Sequence, residues 1–198
     1  MRKSRQNANQ IHTLTLGAIL TTLVIILQLM GTFTAFFGPF STAVALIPIA
    51  IGAVMCGPAV GAWLGFVFGV VVLASGGAAL FMGFDIPGTI ITVLAKGTFC
   101  GLASGLVYKM LKNKNEFIAA FVSAIVCPLV NTGIFLLGCA VFFLDNVIDI
   151  ASKAGSPETG MAVFVGFAMA NFIIEIGSSA VFSPIIVRLI RIGKKTIR

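Results

Sequence analysis

Two charged residues, Lys96 and Glu175, lie deep inside otherwise apolar sequence. A charge at the centre of a membrane helix costs at least about 2.5–3.5 kcal/mol, so it needs a partner or a task. Lys96 follows Asp85 by eleven residues, about 16 Å along a helix, and Glu175 precedes Arg188 by thirteen, about 20 Å. Measured from opposite ends of their segments, both reach comparable mid-membrane depth. Asn131, Thr132 and Asn171 add amides and a hydroxyl. Asn131 precedes Asp145 by fourteen residues, about 21 Å, and Asn171 shares a helix face with Glu175 four positions on. An ammonium in such a setting receives an anionic group, while the carboxylate either pairs that ammonium or accepts from a donor. A bare Lys96–Glu175 ion pair also satisfies both charges, and the two readings are compatible because a ligand carboxylate can open the pair. A single pair without further acids makes a poor proton relay. Interhelical hydrogen bonding alone, worth about 0.6 kcal/mol on average, accounts for each amide taken singly. The candidate binding set is Lys96, Asn131, Asn171 and Glu175, with Asp85 at the outer end of the Lys96 helix and Phe36 in an outer loop.

The elements that must position these groups are membrane helices. The chain is 59% hydrophobic and 10% charged, with a mean hydropathy of +1.11, far from the mix of a soluble domain. Apolar stretches cover roughly 14–38, 40–75, 77–108, 117–144 and 160–187, each long enough to span. Eleven of the thirteen Lys and Arg residues form three clusters, Arg2/Lys3/Arg5, Lys109/Lys112/Lys114 and Arg188/Arg191/Lys194/Lys195/Arg198. Basic residues in short loops stay on the cytoplasmic side, so an even number of spans must separate successive clusters. That parity splits 40–75 at Cys56-Gly57-Pro58, a turn signal. The expected fold is therefore an all-α integral membrane domain over 1–198 with both termini cytoplasmic. Its six transmembrane helices are expected near 12–33, 40–56, 59–75, 86–111, 116–144 and 160–188. The apolar, Gly-rich 76–85 segment reads as an outer loop that dips back toward the protein. The loop Gly31-Thr32-Phe33-Thr34-Ala35-Phe36-Phe37-Gly38-Pro39 either caps a pocket or lies in the interface.

Several functions are excluded or disfavoured. The net charge of +7 sits at helix ends, where topology and anionic headgroups account for it, and does not mark a nucleic-acid surface. Cys56, Cys100, Cys127 and Cys139 lie in apolar segments without C-x-x-C spacing and read as small buried hydrophobes, not as metal or disulfide sites. No H-E-x-x-H, G-x-S-x-G or Walker sequence is present, so neither catalysis nor ATP hydrolysis is expected of this chain, and no cofactor is implied.

Small residues recur at fourfold spacing. Gly57, Gly61, Gly65 and Gly69 make one ridge and Gly97, Gly101 and Gly105 another, and such ridges let helices approach closely. In the first helix Gly17/Thr21 and Ala18/Thr22 form two overlapping pairs. There a surface for a second protein is as credible as packing within the bundle.

Taken together, "LTLGAILTTL" (14–23), "ALIPIAIGAVMCGPAVGAWLGFVFGV" (45–70), "LAKGTFCGLASGLVYKML" (94–111), "PLVNTGIFLLG" (128–138) and "NFIIEIG" (171–177) resemble a substrate-specific S component of an energy-coupling factor transporter. The second block is the most specific, and the resemblance covers essentially the whole chain. It implies a bacterial cell-membrane protein that captures a vitamin from outside beneath loops one, three and five. It also implies toppling against a transmembrane coupling subunit while two cytoplasmic ATPases drive the cycle. The family's A-x-x-x-A contact element corresponds to Ala18 and Thr22, with threonine in place of the second alanine; Gly17 and Thr21 flank it. A lone intramembrane cation favours a compact carboxylate such as pantothenate, and one Trp and one Tyr argue against a large planar ring, although eighteen Phe could stack. Folate, niacin and riboflavin stay open. The competing expectations are a self-contained secondary transporter or channel using Lys96 and Glu175, and, ranked last, a lipid-modifying enzyme.

Overall fold

The computed structural model describes residues 2–34, 40–143 and 172–177, with the single positions 166, 169, 179 and 181. Phe36 and Asn171, the 145–159 loop and most of the expected sixth span lie outside the described residues. Those described are helical or in short turns, with no strand among them. In order they form α1 (Arg2–Thr34), α2 (Phe40–Cys56), α3 (Pro58–Ala74), α4 (Ala79–Met82), α5 (Ile86–Leu111) and α6 (Glu116–Phe142). Residues 172–177 add a further helical segment.

Three stretches are long and apolar enough to cross a membrane: Gln10–Thr32, Ile86–Leu111 and Glu116–Phe142. α2 and α3, at 17 residues each, are shorter apolar helices, about 25 Å long. α1 begins ten residues before its expected start at 12. Hydropathy marks the apolar part of a helix, and the polar 2–11 stretch has no Pro or Gly to stop the winding.

The α2–α3 break is made by one residue. Gly57 takes φ +99°, a conformation open chiefly to glycine, and Pro58 supplies a preset first helical turn. Within the 76–85 segment, expected as an outer loop dipping back toward the protein, the chain forms the one-turn helix α4. Asp85 caps α5, its carboxylate accepting from the Gly88 amide at 3.0 Å. Asn115 caps α6 in the same way after a short turn.

α2 is the central element, buried from Ala45 to Ala50 and again from Gly52 to Val54 and packed on α1, α3, α5 and α6. α3 and α5 run antiparallel with their glycine ridges interlocked. A methyl group at Gly61 would strike the Gly101 carbonyl, one at Gly65 the Gly97 carbonyl, and one at Gly69 the Val93 carbonyl. Backbone therefore meets backbone along this seam.

Candidate ligand-binding site

The opposite side of α5 faces α6, again antiparallel. Gly88 meets Phe142, Thr92 meets Gly138, Lys96 approaches Phe135, and Ser104 bonds Ser123. Thr92 and Lys96 are four apart on α5 and share a face, as do Asn131, Phe135 and Gly138 on α6. Helical periodicity thus carries the Lys96 side of α5 onto the Asn131 side of α6.

Lys96 is half-buried, and its ammonium lies 5.0 Å from the centroid of the Phe135 ring. A cation over a ring face at that distance is stabilised by about 0.5–1 kcal/mol, and by more where water is excluded. Glu175 is the principal charged group acting on that ammonium, with the thiols of Cys100 and Cys139 nearby. The Glu175 side chain is 1% exposed, and Thr132 Oγ1 donates to its Oε2 at 3.1 Å. The structure thus draws Lys96, Thr132 and Glu175 toward one level from three separate segments.

Asn131 is 4% exposed, and its Oδ1 has no partner among the described residues. Thr92 Oγ1 is in the same condition. An orphaned buried polar atom costs about 1–3 kcal/mol, so two in one seam is a feature to be explained. Asp85, in contrast, is occupied as a cap about 16 Å along α5 from Lys96, and the structure does not bring the two together. Phe36 and Asn171 lie outside the described residues.

An aromatic cluster closes the end of the seam toward α4. Phe81 sits 5.3 Å from both Phe135 and Phe143, and edge-on to Phe84 at 6.3 Å. Phe135 therefore joins the cation to a stack of rings. Sequence reasoning did not single out Thr92, Phe135 or Phe81. The first two were within reach, since Thr92 lies four before Lys96 and Phe135 four after Asn131; Phe81 comes from another segment and leaves no such signal.

On α1 the two small-residue pairs separate. Gly17 and Thr21 are half-buried, Gly17 facing Val60 of α3, whereas Ala18 and Thr22 are exposed beside Ile19, Leu23 and Ile26. Thr22 donates its hydroxyl to the Ala18 carbonyl of its own helix at 3.2 Å, which leaves a small, largely apolar surface. Among the described residues no group of His, Cys, Asp and Glu is arranged to hold a metal.

The sequence signature of the ECF transporter substrate-specific component matches residues 12–186. No curated protein and no solved structure matches the chain.

Proposed function

The chain belongs to the ECF transporter substrate-specific component family, and from that membership we propose that it captures a small carboxylate-bearing vitamin at the level of Lys96. Membership makes it a substrate-binding transport subunit, not an enzyme. The finer reading is that the ammonium receives the carboxylate of a compact acid such as pantothenate. Glu175, steadied by Thr132, is its counter-charge while the site is empty, and Asn131 belongs to the polar wall. The observation that supports this best is the half-buried Lys96 ammonium, 5.0 Å from the centre of the Phe135 ring, with Glu175 the main charge acting on it. A cation held this way is stabilised enough to persist, yet its water-poor setting strengthens attraction for an incoming anion.

The same reading extends to topology and partners. Six spans with both termini cytoplasmic, in a bacterial plasma membrane, follow from the charge clusters and the family. Delivery is by toppling against a transmembrane coupling subunit energised by two cytoplasmic ATPases. The exposed Ala18/Thr22 strip of α1 is the docking element, because Thr22 is small and its hydroxyl is already bonded within the helix. The phenylalanine cluster supplies ring surface that the Trp and Tyr counts do not reveal, so a planar vitamin competes with pantothenate. Mass spectrometry of the small molecule copurifying with the solubilised protein decides between them. A compact carboxylic acid is expected; a molecule with no anionic group removes the role given to Lys96.

A further inference from the structure

Thr92 departs from the other helical threonines around it. Thr89 and Thr98 on α5 donate to the carbonyls four residues back, at 2.6 and 2.7 Å, and Thr15, Thr21, Thr22 and Thr32 do the same on α1. That bond is available to any helical threonine and satisfies the hydroxyl where water is absent. Thr92 forgoes it: at 4% exposure its Oγ1 has no partner among the described residues, and the side chain lies instead against Gly138 of α6.

Asn131 is its counterpart. In the register set by Thr92–Gly138 and Lys96–Phe135, Thr92 lies one turn from Lys96 toward α4. Asn131 lies one turn from Phe135 in the other direction. The ammonium is therefore bracketed by two buried, unsatisfied oxygens, each about one helical turn away along the seam. A third such atom, Gln28 Oε1, belongs to α1 and has no place in this bracket.

We propose that Thr92 and Asn131 are specificity-determining residues that hydrogen-bond the molecule whose carboxylate Lys96 receives. The site then selects an acid that also carries hydroxyl or amide N–H groups over a plain carboxylate. This rests on the ligand reading of Lys96 and adds to it. Asn131 Oδ1 is an acceptor, so the molecule must bring it a donor; the Thr92 hydroxyl gives or takes. A carboxylate with nothing else to offer leaves both oxygens unpaired. A site built around hydrogen bonds to a substrate rejects the analogue lacking them far more strongly than an apolar pocket rejects a missing methylene.

The test titrates the purified full chain in detergent with two acids, pantothenate, which carries hydroxyl and amide groups, and hexanoate, which carries neither. Wild type is expected to bind pantothenate at least about 100-fold more tightly than hexanoate. Thr92→Val and Asn131→Leu should each lose about tenfold toward pantothenate and nothing toward hexanoate. Thr92→Ser, which keeps the hydroxyl, should behave as wild type. Thermal unfolding of ligand-free Thr92→Val should be unchanged or higher, which separates lost binding from lost folding. Equal affinity of wild type for the two acids, or full pantothenate affinity in Thr92→Val, overturns the proposal. Lys96→Ala tells the two readings apart. If it loses both acids while Thr92→Val and Asn131→Leu lose neither, the bracket fails and the Lys96 site stands. If it binds both as wild type does, the Lys96 reading fails and takes the bracket with it.

Discussion

α5 carries two faces that could hardly differ more. Toward α3 it offers Gly97, Gly101 and Gly105, and the backbone of the other helix fills the space a side chain would take. Toward α6 it offers Thr92, Lys96 and Ser104, each with a polar atom in an otherwise apolar bundle. The glycine face has almost nothing that can rearrange, since it lacks rotamers and its contacts are main-chain atoms. The polar face holds Thr92, whose buried hydroxyl has no partner among the described residues, at a cost. On the proposed reading, one helix serves as scaffold on one side and as site on the other. A binding constellation is precise only when rigid elements hold it, and the α3–α5 seam provides that rigidity a helix-width from Lys96.

The largest expected effect is on the glycine face. Gly65→Leu drives a branched side chain into the Gly97 carbonyl, a main-chain group with nowhere to go. Destabilisation of more than about 3 kcal/mol is expected, at the upper end for overpacking, read as lost monodispersity and a lowered unfolding temperature in detergent. Lys96→Ala should do the converse. It removes a charge from the other face and should cost about 100-fold in affinity for an anionic vitamin, about 2.7 kcal/mol, while weakening folding much less than Gly65→Leu does. If Lys96→Ala unfolds the protein as Gly65→Leu does, both faces are scaffold and the division is wrong.

The glycine face was more legible in the sequence than the polar one, for a physical reason. Fourfold glycine spacing is a local pattern with one dominant use, so the ridges at 57–69 and 97–105 announce close helix packing before any partner is known. The break at Gly57-Pro58 is likewise local. Polar groups gain meaning only from what they face. Lys96 and Glu175 stand out because charge is rare in lipid, and depth can be counted along a helix. That Phe135 covers the ammonium depends on the α5–α6 register, which no local pattern encodes. The same holds for α4: a four-residue helix in apolar, Gly-rich sequence has no periodicity to read, and its Phe81 is placed by packing on Phe135 and Phe143.

Small residues on α1 sharpen the distinction between packing for the fold and packing for a partner. Gly17 faces Val60, whereas Ala18 and Thr22 face outward. Thr22→Leu adds bulk where the described chain has nothing to clash with. It should leave vitamin affinity and unfolding unchanged while weakening assembly with the coupling subunit about tenfold, an overpacking cost transferred to the interface. Copurification with the coupling subunit measures this. Undiminished assembly would remove α1 as the docking helix.

The smallest effect tests whether polarity alone marks the α6 side of α5 as a site. Ser104 and Ser123 lie on the same α5–α6 seam as Thr92 and are fully buried, but they satisfy one another. Ser104 Oγ donates to the Ser123 carbonyl at 3.0 Å, Ser123 Oγ donates to the Ser104 carbonyl at 2.6 Å, and the two hydroxyls are 2.9 Å apart. Ser104→Ala should therefore lower stability by about 0.6 kcal/mol, the typical worth of an interhelical hydrogen bond in a membrane bundle, and leave affinity untouched. Thr92→Val should do the reverse, costing affinity and no stability. A loss of stability alone in the one and of affinity alone in the other, from two hydroxyl deletions three turns apart, would show that what makes this stretch of the seam a site is its unsatisfied groups. A loss of stability alone in both would reduce Thr92 to one more packing hydroxyl, and Lys96 would then hold its ligand without them.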